Sequence, residues 1–245
     1  MNRIIVGSSN NKIGIVKKDE IIFNIKEDTN ILIENSDKYK FVFNVSNAKV
    51  NILDIRERIG NSFYEINLKK SCVSFNTVSY LSGNIKMNIN LDKDDSKIDV
   101  YNSVIAKNKV TYDIKVNHSA KNTNSNINNN GVTKGDGTLK FNVSSYVPKN
   151  NKGCIVNQDS KIITLNETNE NEINPILLID EYECEARHGA FIGNFNGNEL
   201  FYLMSRGLNK KEARNLLING FLIGTLDVCF NEKEELKKKL NDEWR

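Results

Sequence analysis

Proline and cysteine are scarce in this sequence, and each scarcity removes a class of reading. Two prolines among 245 residues leave no proline-rich linker between domains. The four cysteines, Cys72, Cys154, Cys184 and Cys229, lie far apart and form no CxxC pair. They indicate neither a disulfide framework nor a structural zinc site, and reduced thiols are expected. No segment approaches the ~20 apolar residues that span a bilayer. The amino-terminal stretch MNRIIVGSSNNKIGIVKKDE holds an apolar run of only three, too short for a secretory signal. A cytoplasmic protein with no membrane partner is the simplest expectation.

An excess of one charge sign is also missing. The chain has 34 basic and 31 acidic residues, a formal charge of +3, mixed along most of its length. There is no basic stripe of the kind phosphate backbones require, which argues against a nucleic-acid partner. Catalytic signatures are absent as well: no GxxxxGK[ST] loop, no GxSxG elbow, no HExxH and no GxGxxG after a strand. The expectation is a non-enzyme, with any nucleotide bound by another chain.

What is present is a rhythm of short strands. From Arg3 onward, runs such as EIIFNIK, KFVFNVS, KVNILDI, IKMNINL, KIDVYNSVI, TLKFNVSSYV and NPILLID carry β-branched and aromatic residues at period two, separated by Asn, Asp, Gly or Ser. Such runs start about every ten residues and fit a sandwich, a barrel or a coiled solenoid. The scarcity of tight hairpin signals favours a parallel β-helix. So does the Asn-rich segment NHSAKNTNSNINNN at 117–130, read as a corner because Asn tolerates left-handed backbone. No strict repeat is visible, so the coils are expected to be irregular. The abundance of Lys, Asn and Ile is as well explained by nucleotide bias as by selection.

After residue 190 the period changes. NELFYLMSRG reads as a helix capped by Asn198 and stopped by Gly207. A second helix opens at Asn209 with Glu212 as a capping box and carries Ala213, Leu216, Leu217 and Phe221 on one stripe. A third begins at Asn231 and lines up Leu236, Leu240 and Trp244. The layout is therefore a β body at 1–190 and a helical subdomain at 191–245. Its apolar stripe serves either as an internal core or as a docking surface.

Few residues suggest chemistry. The GDG at 135–137 reads as a turn. His118 and His188 read first as hydrogen-bonded structural histidines, with imidazole and thiolate also suited to iron or zinc. Cys72, Cys154 and Cys229 read as small buried hydrophobes. Cys184 sits in the acidic patch DEYECE, which would raise its thiol pKa.

RHGAFIG, LFYLMSRGL and EARNLLINGF, in that order and spacing, resemble the carboxy-terminal signature of the SufB/SufD family, scaffolds of the Suf iron–sulfur cluster assembly system. HSAKNTNS and its following glycine turn resemble the family's H-x-x-x-NT-x-S segment. NQDSKIITLN and NPILLID resemble two of its strands. The likeness covers about residues 100–225; the first hundred match only in β character, and the chain looks like a short form with no room for a helical amino-terminal region.

The resemblance implies a mainly β protein, a right-handed parallel β-helix with a small carboxy-terminal helical subdomain. It implies pairing with a SufB-like chain or a second copy, and docking of a SufC-like ATPase on the helices through Phe201, Tyr202, Arg206, Leu216, Leu217 and Phe221. SufB members carry cysteine and glutamate where this chain has Asp159 and Gly189, whereas His188, Gly189 and Ala190 match SufD. His188 is then the candidate ligand of a transient iron–sulfur cluster, with no permanently bound cofactor. Some SufD members carry a cysteine two residues before that histidine, where this chain has Ala186, and Cys184, on the same strand face, is a displaced substitute for it. The alternative is a SufBD-fold, ATPase-coupled interaction protein that has lost cluster binding. A carbohydrate-active β-helix would need paired carboxylates facing a cleft and an export signal.

Overall fold

The structure of the chain is a computed structural model describing residues 2–6, 15–17, 20–34, 39–57, 60–80, 83–166, 169–228 and 230–243. Its first strands are β1 (Asn2–Val6), β2 (Ile15–Lys17), β3 (Glu20–Ile25), β4 (Thr29–Glu34), β5 (Lys40–Ser46) and β6 (Lys49–Arg56). There follow β7 (Ser62–Lys69), β8 (Cys72–Ser79), β9 (Ile85–Leu91), β10 (Lys97–Ala106) and β11 (Lys109–His118). The body closes with β12 (Asn124–Thr133), β13 (Thr138–Val147), β14 (Cys154–Thr164), β15 (Glu172–Ile179) and β16 (Cys184–Gly193). Three helices end the chain: α1 (Gly197–Ser205), α2 (Lys210–Ile223) and α3 (Phe230–Glu243).

From β3 onward successive strands alternate between two eight-stranded sheets, one ordered β1-β4-β6-β8-β10-β12-β14-β16 and the other β15-β13-β11-β9-β7-β5-β3-β2. Pairing is parallel throughout except for β2 on β3. This is a parallel β-solenoid flattened into two facing sheets. Inward side chains from both sheets form one continuous core, in which Phe23, Phe41, Phe43, Tyr64 and Phe75 stack or meet edge-on with centroids 5.1–6.3 Å apart.

The irregular repeat has a simple form: the coil widens along the chain. On the outer face of the second sheet, Asn44 donates to Asn24, Asn67 to Asn44, Asn90 to Asn67 and Asn117 to Asn90, at 2.8–3.0 Å. The steps between rungs are 20, 23, 23 and 27 residues. On the first sheet, the row Asp99–Asn126–Asn157 steps by 27 and then 31. Much of the asparagine content is thus structural, because parallel in-register stacking lets each amide donate to the one before and accept from the one after.

A third row is buried. Thr77 donates to Asn102 (2.6 Å), Asn102 to Asn129 (2.7 Å) and Asn129 to Ser160 (2.9 Å), crossing four rungs inside the core. The segment read as a corner at 117–130 is mostly strand: β11 ends at His118 and β12 starts at Asn124. Among the described residues the non-glycine left-handed positions are Asn47, Lys70, Asp95, Asn122 and Asn150, all at corners. The strand β8, CVSFNTVS, escaped the sequence reading because its interior positions include Thr77 and Ser79. Its residues from Val73 on are all buried, since both faces of the strand are covered.

The covering comes from the helices. α2 and α3 lie on the outer face of the first sheet, where Leu53, Ile55, Val78, Tyr80, Ile105, Val132 and Ile163 pack with Ile218, Leu222, Ile223, Leu236 and Leu240. Fully burying an aliphatic side chain contributes about 2 kcal/mol, so Ile218, Leu222 and Ile223 together fasten α2 firmly to the sheet. Asn130 also donates to the Phe221 carbonyl at 2.9 Å.

The stripe that α2 buries is Ala213, Ile218, Leu222 and Ile223, rotated from the predicted one. Leu216 is exposed and Leu217 half-buried, because the sheet rather than a neighbouring helix sets the buried direction. The capping box at Asn209 and Glu212 is present, and Gly207 takes φ +97° as the left-handed stop. The cap of α1 is Asn196, which accepts from the Asn198 amide, rather than Asn198 itself. Asn231 lies within α3, which starts at Phe230. Trp244 falls outside the described residues.

Candidate functional site: the terminal rung and the helical face

The predicted corner histidine serves the fold. His118 is fully buried, its Nδ1 2.7 Å from Thr123 Oγ1 and its Nε2 2.9 Å from Ser125 Oγ. Burial pushes its pKa down to about 4, so the ring is neutral and ties the turn between β11 and β12. Asn122, at φ 55°, completes that turn. Of the four residues that HSAKNTNS shares with the H-x-x-x-NT-x-S pattern, His118, Thr123 and Ser125 are hydrogen-bonded together and Asn122 supplies the left-handed backbone of the turn.

Cys154 sits next to this turn, fully buried, with its thiol 3.1 Å from Thr123 Oγ1 and from the Asn151 carbonyl. It is a core residue as expected. Cys72 is exposed, contrary to the reading, because it opens β8 beyond the covered part of the strand. Cys229 lies outside the described residues.

β14 and β16 set the geometry around His188. Their register pairs Cys154 with Cys184, Gln158 with His188, and Asp159 with Gly189. Odd and even positions separate by face. Cys154, Val156, Gln158 and Ser160 point inward, so Cys184 and His188 continue the inward phase on a rung with no further strand over it. His188 is accordingly exposed. Gln158 beneath it is buried, its amide nitrogen donating to Ser145 Oγ at 2.9 Å and its Oε1 without a hydrogen-bond partner.

Cys184 and His188 share a face, but four residues of strand separate them by roughly 13 Å. One ion bound within this chain cannot take both as ligands. The Cys184 thiol donates to the Glu181 carbonyl at 3.2 Å. Burial, then the Cys154 thiol and the Glu181 carboxylate, raise its pKa, which disfavours a thiolate ligand or nucleophile. Among the described residues no group of three or more His, Cys, Asp or Glu side chains is placed to hold a metal ion.

Asp159 and Gly189, where SufB-type ligands were expected to differ, stand side by side on the outward face. Asp159 pairs with Lys161 at 2.8 Å, and a Cβ on Gly189 would come within 2.9 Å of Asp159 Oδ1. Asp159 and Gly189 are thus neighbours in one local arrangement.

The terminal rung is also the sticky end of the solenoid. β15 and β16 are the last strands of their sheets and present unpaired backbone edges. Ile176, Leu178, Tyr182, Phe191 and Ile192 are 45–98% exposed there. The sequence reading did not single these residues out, because their alternation matches that of buried strands. Only their place on the final rung exposes them.

The second apolar surface is helical. None of the residues of α1 is buried. Phe201 is 74%, Tyr202 56% and Leu216 of the adjoining α2 51% exposed. Arg206 lies over the Tyr202 ring at 5.3 Å. Of the six predicted partner residues these four are on the surface. Leu217 is half-buried, and Phe221 packs edge-on against Phe195 at 6.1 Å, inside the seam between helices and sheet. No described helix is long and apolar enough to cross a membrane.

Comparison with known proteins agrees with this architecture. Residues 41–221 match the family described as SUF system FeS cluster assembly, SufBD core domain. The chain is 33% identical over 135 residues to the iron–sulfur cluster assembly protein SufD of Bacillus subtilis, a match covering 54% of this chain and 31% of that protein. It is 31% identical over 108 residues to an iron–sulfur cluster assembly SufBD family protein of Mycobacterium tuberculosis, covering 44% of this chain and 13% of the relative. A Staphylococcus aureus protein of the same description is 26% identical over 108 residues, 23% of its length. The matches span under a third of each relative. With most of its length matched to the core domain and the β-solenoid in place, the chain belongs to the SufBD family.

Proposed function

We propose that this chain is a non-catalytic, SufD-like subunit of an iron–sulfur cluster assembly complex. It pairs with a second SufBD-type chain through the terminal rung and docks a SufC-like ATPase on the face formed by α1 and α2. The observation that carries this reading is a helix, α1, that leaves Phe201, Tyr202 and Met204 42–74% exposed at the end of a family-matched core. Apolar surface of this kind, joined by an aromatic–arginine contact, has the composition of an interface centre. The free edges of β15 and β16 offer a separate surface for strand-to-strand pairing.

Cluster handling is shared across the pairing interface rather than built within one chain. His188 supplies an imidazole at the open rung, and the partner supplies further ligands. A second reading is favoured by one specific pair: Asp159 is bonded to Lys161, and Gly189 beside it offers no side chain. In that reading the chain couples ATPase to partner and carries no cluster itself.

The test is anaerobic size-exclusion chromatography with light scattering, on the chain alone and mixed with the SufC-like ATPase of the same organism. A joint peak with equal copies of each chain supports the role, and Phe201→Asp is expected to abolish it while leaving the chain's own pairing intact. Separate peaks with and without nucleotide would overturn it. Visible iron–sulfur absorbance lost on His188→Ala separates the first reading from the second.

A further inference from the structure

Cys154 opens β14 and Cys184 opens β16, and the parallel register pairs the two residues directly. Their thiols occupy equivalent places on successive rungs. Cys154 Sγ lies 3.1 Å from the Asn151 carbonyl and Cys184 Sγ 3.2 Å from the Glu181 carbonyl, in each case the residue three earlier. Both side chains join one apolar cluster with Val147, Val156, Leu177 and Ile179. The corners that precede them are fastened as well. The Gly153 amide donates to the Glu183 carbonyl at 2.7 Å, and the Asn150 amide to Glu181 Oε2 at 2.7 Å.

Neighbouring strands run about 4.8 Å apart, so the paired residues bring their Cα atoms within the roughly 4.4–6.8 Å that a disulfide spans. Side chains of a parallel pair run alongside each other, which keeps the Cβ atoms near the rung spacing and somewhat beyond the roughly 3.5–4.5 Å of a relaxed disulfide. A bond between them is therefore readily reduced rather than permanent. Cys72 offers no competing partner within the chain. In register it stands level with Ile155, three strands away in the same sheet, about 14 Å, and it lies in the outward phase of β8. Among the described residues Cys154 and Cys184 are thus the one pair of cysteines close enough to join.

From this arrangement we infer that Cys154 and Cys184 form a redox-reversible modification site, a dithiol that a small-molecule disulfide oxidises to an internal disulfide across the last two strands of the first sheet. Cys184, half-buried, is the point of entry, and Cys154, fully buried, is the resolving thiol. In the first exchange Cys184 Sγ bonds to one sulfur of the small disulfide, whose own S–S bond breaks, and the departing thiolate takes the Cys184 proton. In the second, Cys154 Sγ attacks Cys184 Sγ, the mixed disulfide breaks, and the second small thiolate takes the Cys154 proton. The small disulfide is reduced to thiols as the protein dithiol is oxidised, so electrons and protons balance. The raised pKa of Cys184 slows the first exchange without blocking it, because attack proceeds through the thiolate fraction that exists. The link fastens the start of β16 to β14, so the oxidation state of the surroundings sets how firmly the terminal rung is held. This site is independent of the proposed assembly role and stands or falls separately from it.

Peptide mass analysis of the full chain tests it, after incubation with oxidised glutathione, blocking with N-ethylmaleimide and digestion without reduction. The expected result is a Cys154–Cys184 cross-link that is lost on exposure to excess reduced glutathione. Cys154→Ser should instead retain glutathione on Cys184 and form no cross-link. Cys184→Ser should leave Cys154 about tenfold slower to be modified than in wild type, because the buried thiol then has no entry point. A wild type that keeps glutathione on Cys184 without the cross-link, or that leaves Cys184 unmodified once Cys72 is fully glutathionylated, overturns the inference. So does a native chain in which Cys154 or Cys184 is linked to a different cysteine.

Discussion

Acid should weaken this protein through His118, and the size of the effect can be worked out. The ring is fully buried and neutral, with a pKa of about 4 against an ordinary 6.5. The unfolded chain takes up a proton below 6.5, whereas the folded chain resists it until about 4. His118 therefore contributes its full stability above pH 6.5, loses it as pH falls toward 4, and adds no further slope below that. The complete loss amounts to about 3 kcal/mol, of which about 2 kcal/mol is gone at pH 5.

Urea unfolding at pH 7.5 and pH 5.0, for wild type and His118→Gln, isolates this contribution. At pH 7.5 the variant should be weaker by about 1–2 kcal/mol, because one of the hydroxyls of Thr123 and Ser125 loses its partner. Between the two pH values its stability should then fall by about 2 kcal/mol less than that of wild type. With a urea slope of about 2 kcal/mol/M, the difference is close to 1 M in midpoint. An equal fall in both proteins would refute the buried neutral histidine.

Three further outcomes are expected. Asn129→Ala breaks the buried row at its centre, leaving the Asn102 amide nitrogen without its acceptor and Ser160 Oγ without its donor, and should cost about 2–4 kcal/mol in urea unfolding. Gly131→Val should also destabilise by about 1–3 kcal/mol, because even a Cβ there would sit 2.1 Å from Leu139 Cδ2. In timed iodoacetamide labelling read by peptide mass, Cys72 should react first, Cys184 more slowly because burial raises its pKa, and Cys154 only on unfolding.

Much of the fold was legible in the sequence because its strands obey period two. The alternation of Ile21, Phe23 and Ile25, or of Ile98 and Val100, is the inward face of a coil and reads as such. The helix signals at Asn209, Glu212 and Gly207 were equally local. What escaped was whatever depends on neighbours distant in sequence. Thr77, Asn102 and Asn129 look like turn residues until the parallel register stacks them inside the core. Arg56, in the inward phase of β6, is buried with its guanidinium donating to the Gly60 carbonyl at 2.6 Å.

The candidate site divides in the same way. His188 stood out by its motif, yet its exposure follows from being on the last rung. Phe221 and Leu217 were grouped with Leu216 by helical spacing, and only the position of the first sheet separates them.

The central claim, a subunit role in iron–sulfur cluster assembly, is tested most directly in the cell that makes this chain. The protein would be depleted and the activity of a resident cluster-dependent dehydratase such as aconitase measured, with its polypeptide level followed by immunoblot. The account predicts that activity falls while the polypeptide persists, and that wild type restores it but Phe201→Asp does not. Unchanged activity on depletion, or full restoration by Phe201→Asp, would contradict it.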